Sequence, residues 1–485
     1  MKKSEPKHYE ESLEEEVKRL RKEVRTLRAS KDATKAKLTA ARAELKKKKR
    51  REENLDKRAE RINLEAFDAI PGHRYSLLVV KLCILIYVRT NCGLRTVVTI
   101  LETFYEVLGG KCGKTPCYNT IENWMKKLGL SVYENDRKPC PGKKYALVID
   151  ESIMINSEKL LLLLGIPADH QGRPTKHEDV TVVGMEVGKS FSGDDIKDRI
   201  ETFTEGFDEK PEYIISDQGH NLINGVAKAE ISQHIDISHA MGTCLKQTYG
   251  KAADFLAFTK LLGEIRLQYQ LTDKAYLLQP NMRSIARFIN MSPWVEWGEK
   301  MLGCFSNLPK DMQEAYSFIP ENKELLYELA VGIDAVRHVE EICKNKGFNL
   351  ETYKECRRYI IHNVLCKASN NRGLMLGCRM IEYFRKEASL LTGSVLQNDN
   401  LSSDIIESDF GIFKSKKSPN KLYGITPFAL IIPLYPKLVN KSVTELFDFK
   451  ERMVNVTLKD INAWSKEHMS TNWVTKRTKT LKSVG

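Results

Sequence analysis

Apolar residues recur at steps of four and three between residues 11 and 52: Leu13, Val17, Leu20, Val24 and Leu27, then Leu38, Ala41 and Leu45. The polar Lys31 and Thr34 hold the register between the two groups, and neither Pro nor Gly interrupts the run. Such a stripe is the seam of one long helix, and a seam cannot bury itself alone. The pattern predicts a coiled-coil arm over residues 1–61 that self-associates, as a dimer or higher, through residues 11–52. The partner helix is parallel or antiparallel. A solitary solvated helix, or one folded back on its own chain, is the competing reading.

Residues 62–130 carry three helical signals between short turns. "YSLLVVKLCILIYVRT" reads as a buried helix, and "GLRTVVTILETFYEVLG" follows a Gly. "TPCYNTIENWMKKLGL" offers Thr115 as N-cap, Pro116 at the first helical position and Gly129 as the stop. Its exposed candidates are Tyr118, Asn119, Thr120, Asn123 and Lys126. Such side chains reach base edges and phosphates, which suits a helix-turn-helix-like DNA-binding domain. A plain helical bundle accounts for the same periodicity. Two prolines and a Gly make residues 131–144 a linker.

Beyond the linker the period becomes strand-like. "YALVID", residues 159–167, residues 180–188, "EYIISDQG" and residues 232–241 read as five strands. An amphipathic helix over 193–205, with Ile196, Ile200 and Phe203 on one side, precedes the fourth, and a short helix over 221–229 precedes the fifth. Residues 241–395 show only helical signals. That is too long for a loop, so an all-helical insertion is expected, with Trp294 and Trp297 in its core. Residues 396–437 return to the α/β domain begun at 145–240, and 438–485 form a basic helical segment.

Composition narrows the class. The 485 residues exceed one ordinary core, and 42% hydrophobic with 29% charged residues suits a globular chain. No apolar run has the length of a membrane span, so no membrane partner is expected. Lys2 and Lys3 open a polar start that does not read as a signal peptide. Eleven cysteines lie scattered without a CxxC pair, Cys112 and Cys117 coming nearest, which reads as reduced thiols in a cytoplasmic setting. Of the net +13, much sits in residues 1–61, where 22 Lys and Arg face 13 Asp and Glu. Lys46 to Arg51 form an unbroken basic run, and Lys476, Arg477, Lys479 and Lys482 make the chain's end basic. Basic ends on a balanced body point to a polyanion, double-stranded DNA above all, or to solvated faces that keep the chain dissolved.

Two strands run into carboxylates: Asp150, with Glu151 after it, and Asp217. A third acid lies in "SSDIIESDFGIFKSKK". Ser402 or Ser403 can cap a helix there. Ile406, Phe410 and Phe413 then pack down, while Glu407, Gly411 and Lys414 share a neighbouring face. A Glu brought beside two strand-end aspartates is costly without positive charge between them, and a divalent metal supplies it. Asp404 is the reserve for the third acid. Asp236 and His239, an Asp-x-x-His at the end of the fifth strand, are either a helix-start pair or groups that orient the site from behind. Glu151 is a solvated neighbour or a supporting group.

An acid on the first strand, an acid after the fourth and a Glu on a helix beyond a helical insertion resemble the RNase H-like core of DDE transposases of bacterial insertion sequences. The residues that carry the resemblance are Asp150 in "VIDES", Asp217 in "IISDQG" and Glu407 in "DIIESDFGIFKSK". It covers residues 143–437, and helical DNA-binding regions precede such cores in the family. The resemblance implies an α/β core, a five-stranded mixed sheet with flanking helices, interrupted by the all-α insertion. It implies catalytic and metal-binding roles for Asp150, Asp217 and Glu407, with two Mg²⁺ ions per site that Mn²⁺ can replace. Asp150 would bridge both ions, and each of the other acids would complete one. Lys414, Lys416 and Lys417 would touch DNA phosphates. The implied activity is metal-dependent phosphodiester cleavage and strand transfer at the ends of a mobile element, in the bacterial cytoplasm at the nucleoid. A non-catalytic DNA-binding regulator that keeps the fold, or another RNase H-like nuclease, are the competing functions.

Overall fold

The computed structural model describes residues 7–59, 70–107, 114–140, 143–155, 158–281, 288, 291–391, 397–416, 424–469 and 473–484. The chain divides into two compact units, residues 1–69 with 76–78, and residues 70–75 with 79–485. The first holds one long helix, α1 (Lys7–Ala59). Its Ala, Leu, Glu, Lys and Arg are good helix formers. Leu13, Leu27, Leu38 and Leu45 of the heptad stripe are each more than half exposed, so the seam is bare.

Helices α2 (Leu77–Arg89), α3 (Leu94–Val107) and α4 (Tyr118–Asn135) precede the sheet. The third departs from expectation at both ends. Cys117, not Thr115, takes the cap position, and the helix runs through Gly129 to Asn135, into the expected linker. Gly129 serves close approach and not termination, because a Cβ there would stand 1.9 Å from the Leu430 carbonyl oxygen. Leu128, Leu130, Val132 and Tyr133 are buried. They pack where α4 meets the 3₁₀ helix Pro427–Leu434 and the helices Phe449–Val454 and Leu458–His468. α4 thus runs past the expected boundary at 130 and is built into the body.

The sheet has five strands in the order β3-β2-β1-β4-β5. They are β1 (Tyr145–Ile155), β2 (Glu158–Pro167), β3 (Thr181–Gly188), β4 (Ile214–Ser216) and β5 (Gln233–Ile235). β1, β2 and β3 form antiparallel pairs, while β4 runs parallel to β1 and β5 parallel to β4. β2 is buried on both faces from Leu160 to Ile166, as its unbroken apolar run requires. Each buried leucine there contributes about 1.5–3 kcal/mol. Along β1 the pleat sends Tyr145, Leu147 and Ile149 into a core with α5 (Gly193–Thr204) and α6 (His220–Lys228). Ile196, Ile200 and Phe203 supply the α5 side of that core, on the stripe the sequence predicts. Ser192 and Asp195 cap α5 reciprocally. The fifth strand is shorter than residues 232–241, because Asp236 ends it and caps the next helix.

That helix, α7 (Ile237–Tyr249), opens the helical body, which continues through α8 (Ala253–Tyr269), α9 (Ser292–Cys304), α10 (Lys310–Ala315), α11 (Phe318–Glu321), α12 (Lys323–Lys346), α13 (Leu350–Ile360) and α14 (Asn371–Leu390). Trp294 is buried there edge-on to Phe258, 5.4 Å between ring centroids, and Trp297 donates its indole N–H to the Leu277 carbonyl. Both tryptophans are packing residues. The chain then returns to the sheet as α15 (Asp404–Lys416), which packs on β1. Short helices α16 (Tyr435–Leu438), α17 (Lys441–Glu445), α18 (Phe449–Val454), α19 (Leu458–His468) and α20 (Trp473–Val484) follow the 3₁₀ helix. Arg452 on α18 grips Asp136 with both contacts at 2.9 Å, fastening the C-terminal helices to the end of α4. Among the described residues no helix is long and apolar enough to cross a membrane, and the described cysteines are unpaired.

Candidate active site

Asp150 does not end its strand. β1 continues to Ile155 against β2, with Asp150 opposite Leu162 and Glu151 opposite Leu161. β4 is shorter and leaves β1 at the pair Ile149↔Ser216. Asp150 is thus the first residue beyond the reach of β4, and Asp217 is the first residue beyond β4 itself. Two carboxylates separated by 67 positions in the sequence become neighbours across one strand pair.

The pleat separates the adjacent acids. Glu151 turns toward α6, where Asn221 donates to one of its carboxylate oxygens and Lys159 pairs with the other. Its side chain is only 6% exposed, so it is held in a buried ion pair and is not the solvated neighbour of the first alternative. Asp150 turns to the opposite face, where α15 packs on β1. Burial and the charge of Asp217 push its carboxyl up to about 7, while the Glu151 N–H, given to Asp150 Oδ1 at 2.7 Å, and His239 oppose the rise. Glu407 adds a smaller upward push, so the three acids share one electrostatic neighbourhood. Asp217 accepts the Gly219 N–H at 2.8 Å, which fixes the turn after β4.

Asp236 organises the far wall. It is buried to 1% exposure and caps α7, accepting the His239 N–H at 2.8 Å and standing 2.9 Å from His239 Nδ1. Its other oxygen accepts the Ser403 N–H at 2.7 Å, just before α15. One carboxylate therefore ties the first turn of α7 to the start of the helix that carries Glu407. The hydrogen bond to Asp236 raises His239 to about 9, with Glu407 and Asp217 adding to the rise against burial. His239 Nε2 lies 3.9 Å from Glu407 Oε1. Partial burial raises the Glu407 carboxyl and His239 opposes this. On α15, Ile406, Phe410 and Phe413 are buried and Glu407, Gly411 and Lys414 are exposed, as the helical period predicts. Asp404, the reserve acid, lies 2.8 Å from Lys344 Nζ on α12.

Among the described residues, no three His, Cys, Asp and Glu side chains are gathered closely enough to hold one metal ion. The donor set still suits a hard divalent ion, which takes one or two carboxylates and keeps several waters. Asp150 with Asp217, and Asp150 with Glu407, are the pairs that would serve. A carboxyl held from ionising by burial and a like charge is a place where a cation lowers the free energy.

The expected DNA contacts divide. Tyr118 and Asn119 are exposed at the start of α4, with the Arg95 guanidinium 4.4 Å over the Tyr118 ring. Thr120 and Asn123 are half-buried, and Lys126 pairs with Glu122 one turn back. Lys416 donates to the Tyr87 and Thr90 carbonyls at the end of α2 and lies over the Tyr87 ring. A cation on the last carbonyls of a helix is a C-terminal cap. Lys414 is exposed beside Phe410, and Lys476, Arg477 and Lys479 are exposed along α20. Lys417 lies outside the described residues.

The sequence reading missed two buried pairings. His234 on β5 sits between Glu387 at 2.7 Å and Asp399 at 3.0 Å, and His177 lies 3.0 Å from the fully buried Asp409. The partners are 153, 165 and 232 positions apart, and no local pattern announces them. No protein-family model matches the chain, and a comparison with curated proteins also gave no match.

Proposed function

We propose that this chain is a DDE-type transposase with an RNase H-like core, cutting and joining DNA at the ends of a mobile element. The observation that carries the reading is the meeting of Asp150 and Asp217 on adjacent strands of a β3-β2-β1-β4-β5 sheet, with Glu407 on the helix packed against the same face. Asp150 and Asp217 would hold one divalent ion, and Asp150 and Glu407 a second, Mg²⁺ or Mn²⁺. What the bound ions supply is an activated oxygen nucleophile and a stabilised leaving oxygen, in line across phosphorus. The protein's own groups orient the site. Asp236 fixes the His239 ring and the start of α15 together. His239, raised by Asp236, lies 3.9 Å from Glu407 and would favour an approaching phosphate when protonated. Lys414, two turns along α15 from Glu407, and the basic face of α20 would bind the DNA backbone. Self-association through α1 would bring two DNA ends together.

The exposure of Glu407, 52% at the side chain, together with the absence of a three-residue metal group among the described residues, favours a second reading. It is a DNA-binding regulator on the same scaffold that does not cut. Cleavage of the DNA flanking the coding region, with Mn²⁺ or Mg²⁺, separates the two. Asp150→Asn, Asp217→Asn and Glu407→Gln are each expected to lower cleavage at least about a hundredfold while binding persists. Retained cleavage in any one removes that residue from the site. Binding without cleavage by the unmodified protein, with either ion, supports the regulator.

A further inference from the structure

The α1 seam is bare, and its flanking charges state what covers it. With Val17, Val24, Lys31, Leu38 and Leu45 at heptad position a, and Leu13, Leu20 and Leu27 at d, the e column reads Glu14, Arg21, Arg28, Lys35, Arg42 and Lys49. The g column reads Glu16, Glu23, Ser30, Lys37, Glu44 and Arg51. In a parallel pair each g residue meets the next e residue of the other chain. Glu16 then meets Arg21, Glu23 meets Arg28 and Glu44 meets Lys49. Ser30 with Lys35 is neutral, and only Lys37 with Arg42 repels. In an antiparallel pair e faces e, and that column is basic at five of its six positions. Antiparallel pairing therefore sets like charges against each other along most of that column.

We infer that α1 docks onto the α1 of a second copy of this chain as a parallel, in-register two-stranded coiled coil spanning Leu13 to Leu45. The proposal rests on the self-association part of the reading above and adds its orientation, register and stoichiometry. Val at a with Leu at d, in the first half of the seam, selects two strands. Lys31, a lone cation among the a residues, fixes register, because a slipped pair would bury it against an apolar position. The seam closes at Leu45, since Lys48 takes the next d position and would face its own copy. Among the described residues Glu16 pairs with Arg19 alone, at 3.9 Å and with both side chains exposed, so its charge can turn to the partner.

Light scattering across a dilution series of the full chain tests this without DNA. The unmodified protein is expected at twice 55.5 kDa. Glu16→Lys with Glu23→Lys turns attraction into repulsion and is expected to weaken the dimer about tenfold or more. Adding Arg21→Glu and Arg28→Glu restores g-to-e attraction in the parallel register, and should return the dimer. A single-chain mass for the unmodified protein overturns self-association and this inference together. A dimer that the first variant leaves intact, or that the second fails to restore, overturns the parallel register alone.

Discussion

Asp150 is destabilised by its own surroundings: burial and Asp217 hold its carboxyl at about 7, against an ordinary value of 3.8. A carboxyl raised on folding loses stability for the fold as pH climbs from the unfolded value through the folded one. At pH 8 without metal, Asp150→Asn is therefore expected to unfold later than the parent. Its amide oxygen can still accept the Glu151 N–H. Mg²⁺ should raise the unfolding midpoint of the parent and leave that of the variant unmoved. A variant less stable than its parent in chelator would show that Asp150 is a structural residue. Asp150 and Asp217 were legible in the sequence because apolar strands run straight into them, and Glu407 because the helical period sets it apart from Ile406 and Phe410. The roles of Glu151 and Lys416 were not legible. Each depends on a partner brought from another element, Asn221 for one and the end of α2 for the other.

Among the elements, the weakest sequence signals were boundaries set by tertiary contact. Gly129 looks like a helix stop, yet the approach of Leu430 explains it. β1 looks complete at Asp150 when only β4 is counted, and the pairing with β2 carries it further. The joint between β5 and α14 gave no signal, although it buries His234 between two carboxylates. Burial opposes a charge on His234, but hydrogen bonds to Asp399 and Glu387 outweigh it and carry the imidazole up to about 9. The folded value exceeds the unfolded 6.5. This contribution is therefore complete below about pH 6.5 and is lost as pH rises through about 9. Urea unfolding between pH 6 and pH 10 should show a loss on the order of 3 kcal/mol assignable to this group. In His234→Gln that alkaline step should vanish, and stability at neutral pH should fall by roughly 3 kcal/mol because two buried carboxylates lose their cation. A variant with the parent's pH profile would place the titration elsewhere.

For the whole molecule, the order of strands and helices was readable because each element announces its own period. The way they enclose one another was not. α3 and the helices at the end of the chain pack on α4, which no local pattern could report. The exposed start of α4, Tyr118 and Asn119, is small beside the basic faces of α15 and α20. The helical insertion is anchored at both ends to the site: Asp236 leads into α7, and Ser403, held by the same carboxylate, leads into α15. Crystals grown with Mn²⁺ and a short DNA duplex, measured at the manganese absorption edge, test the central claim most directly. Anomalous density in contact with both Asp150 and Asp217, at about 2.0–2.3 Å from their oxygens, is the predicted result. Manganese bound only elsewhere, with Asp150 and Asp217 bare in the presence of DNA, would contradict it.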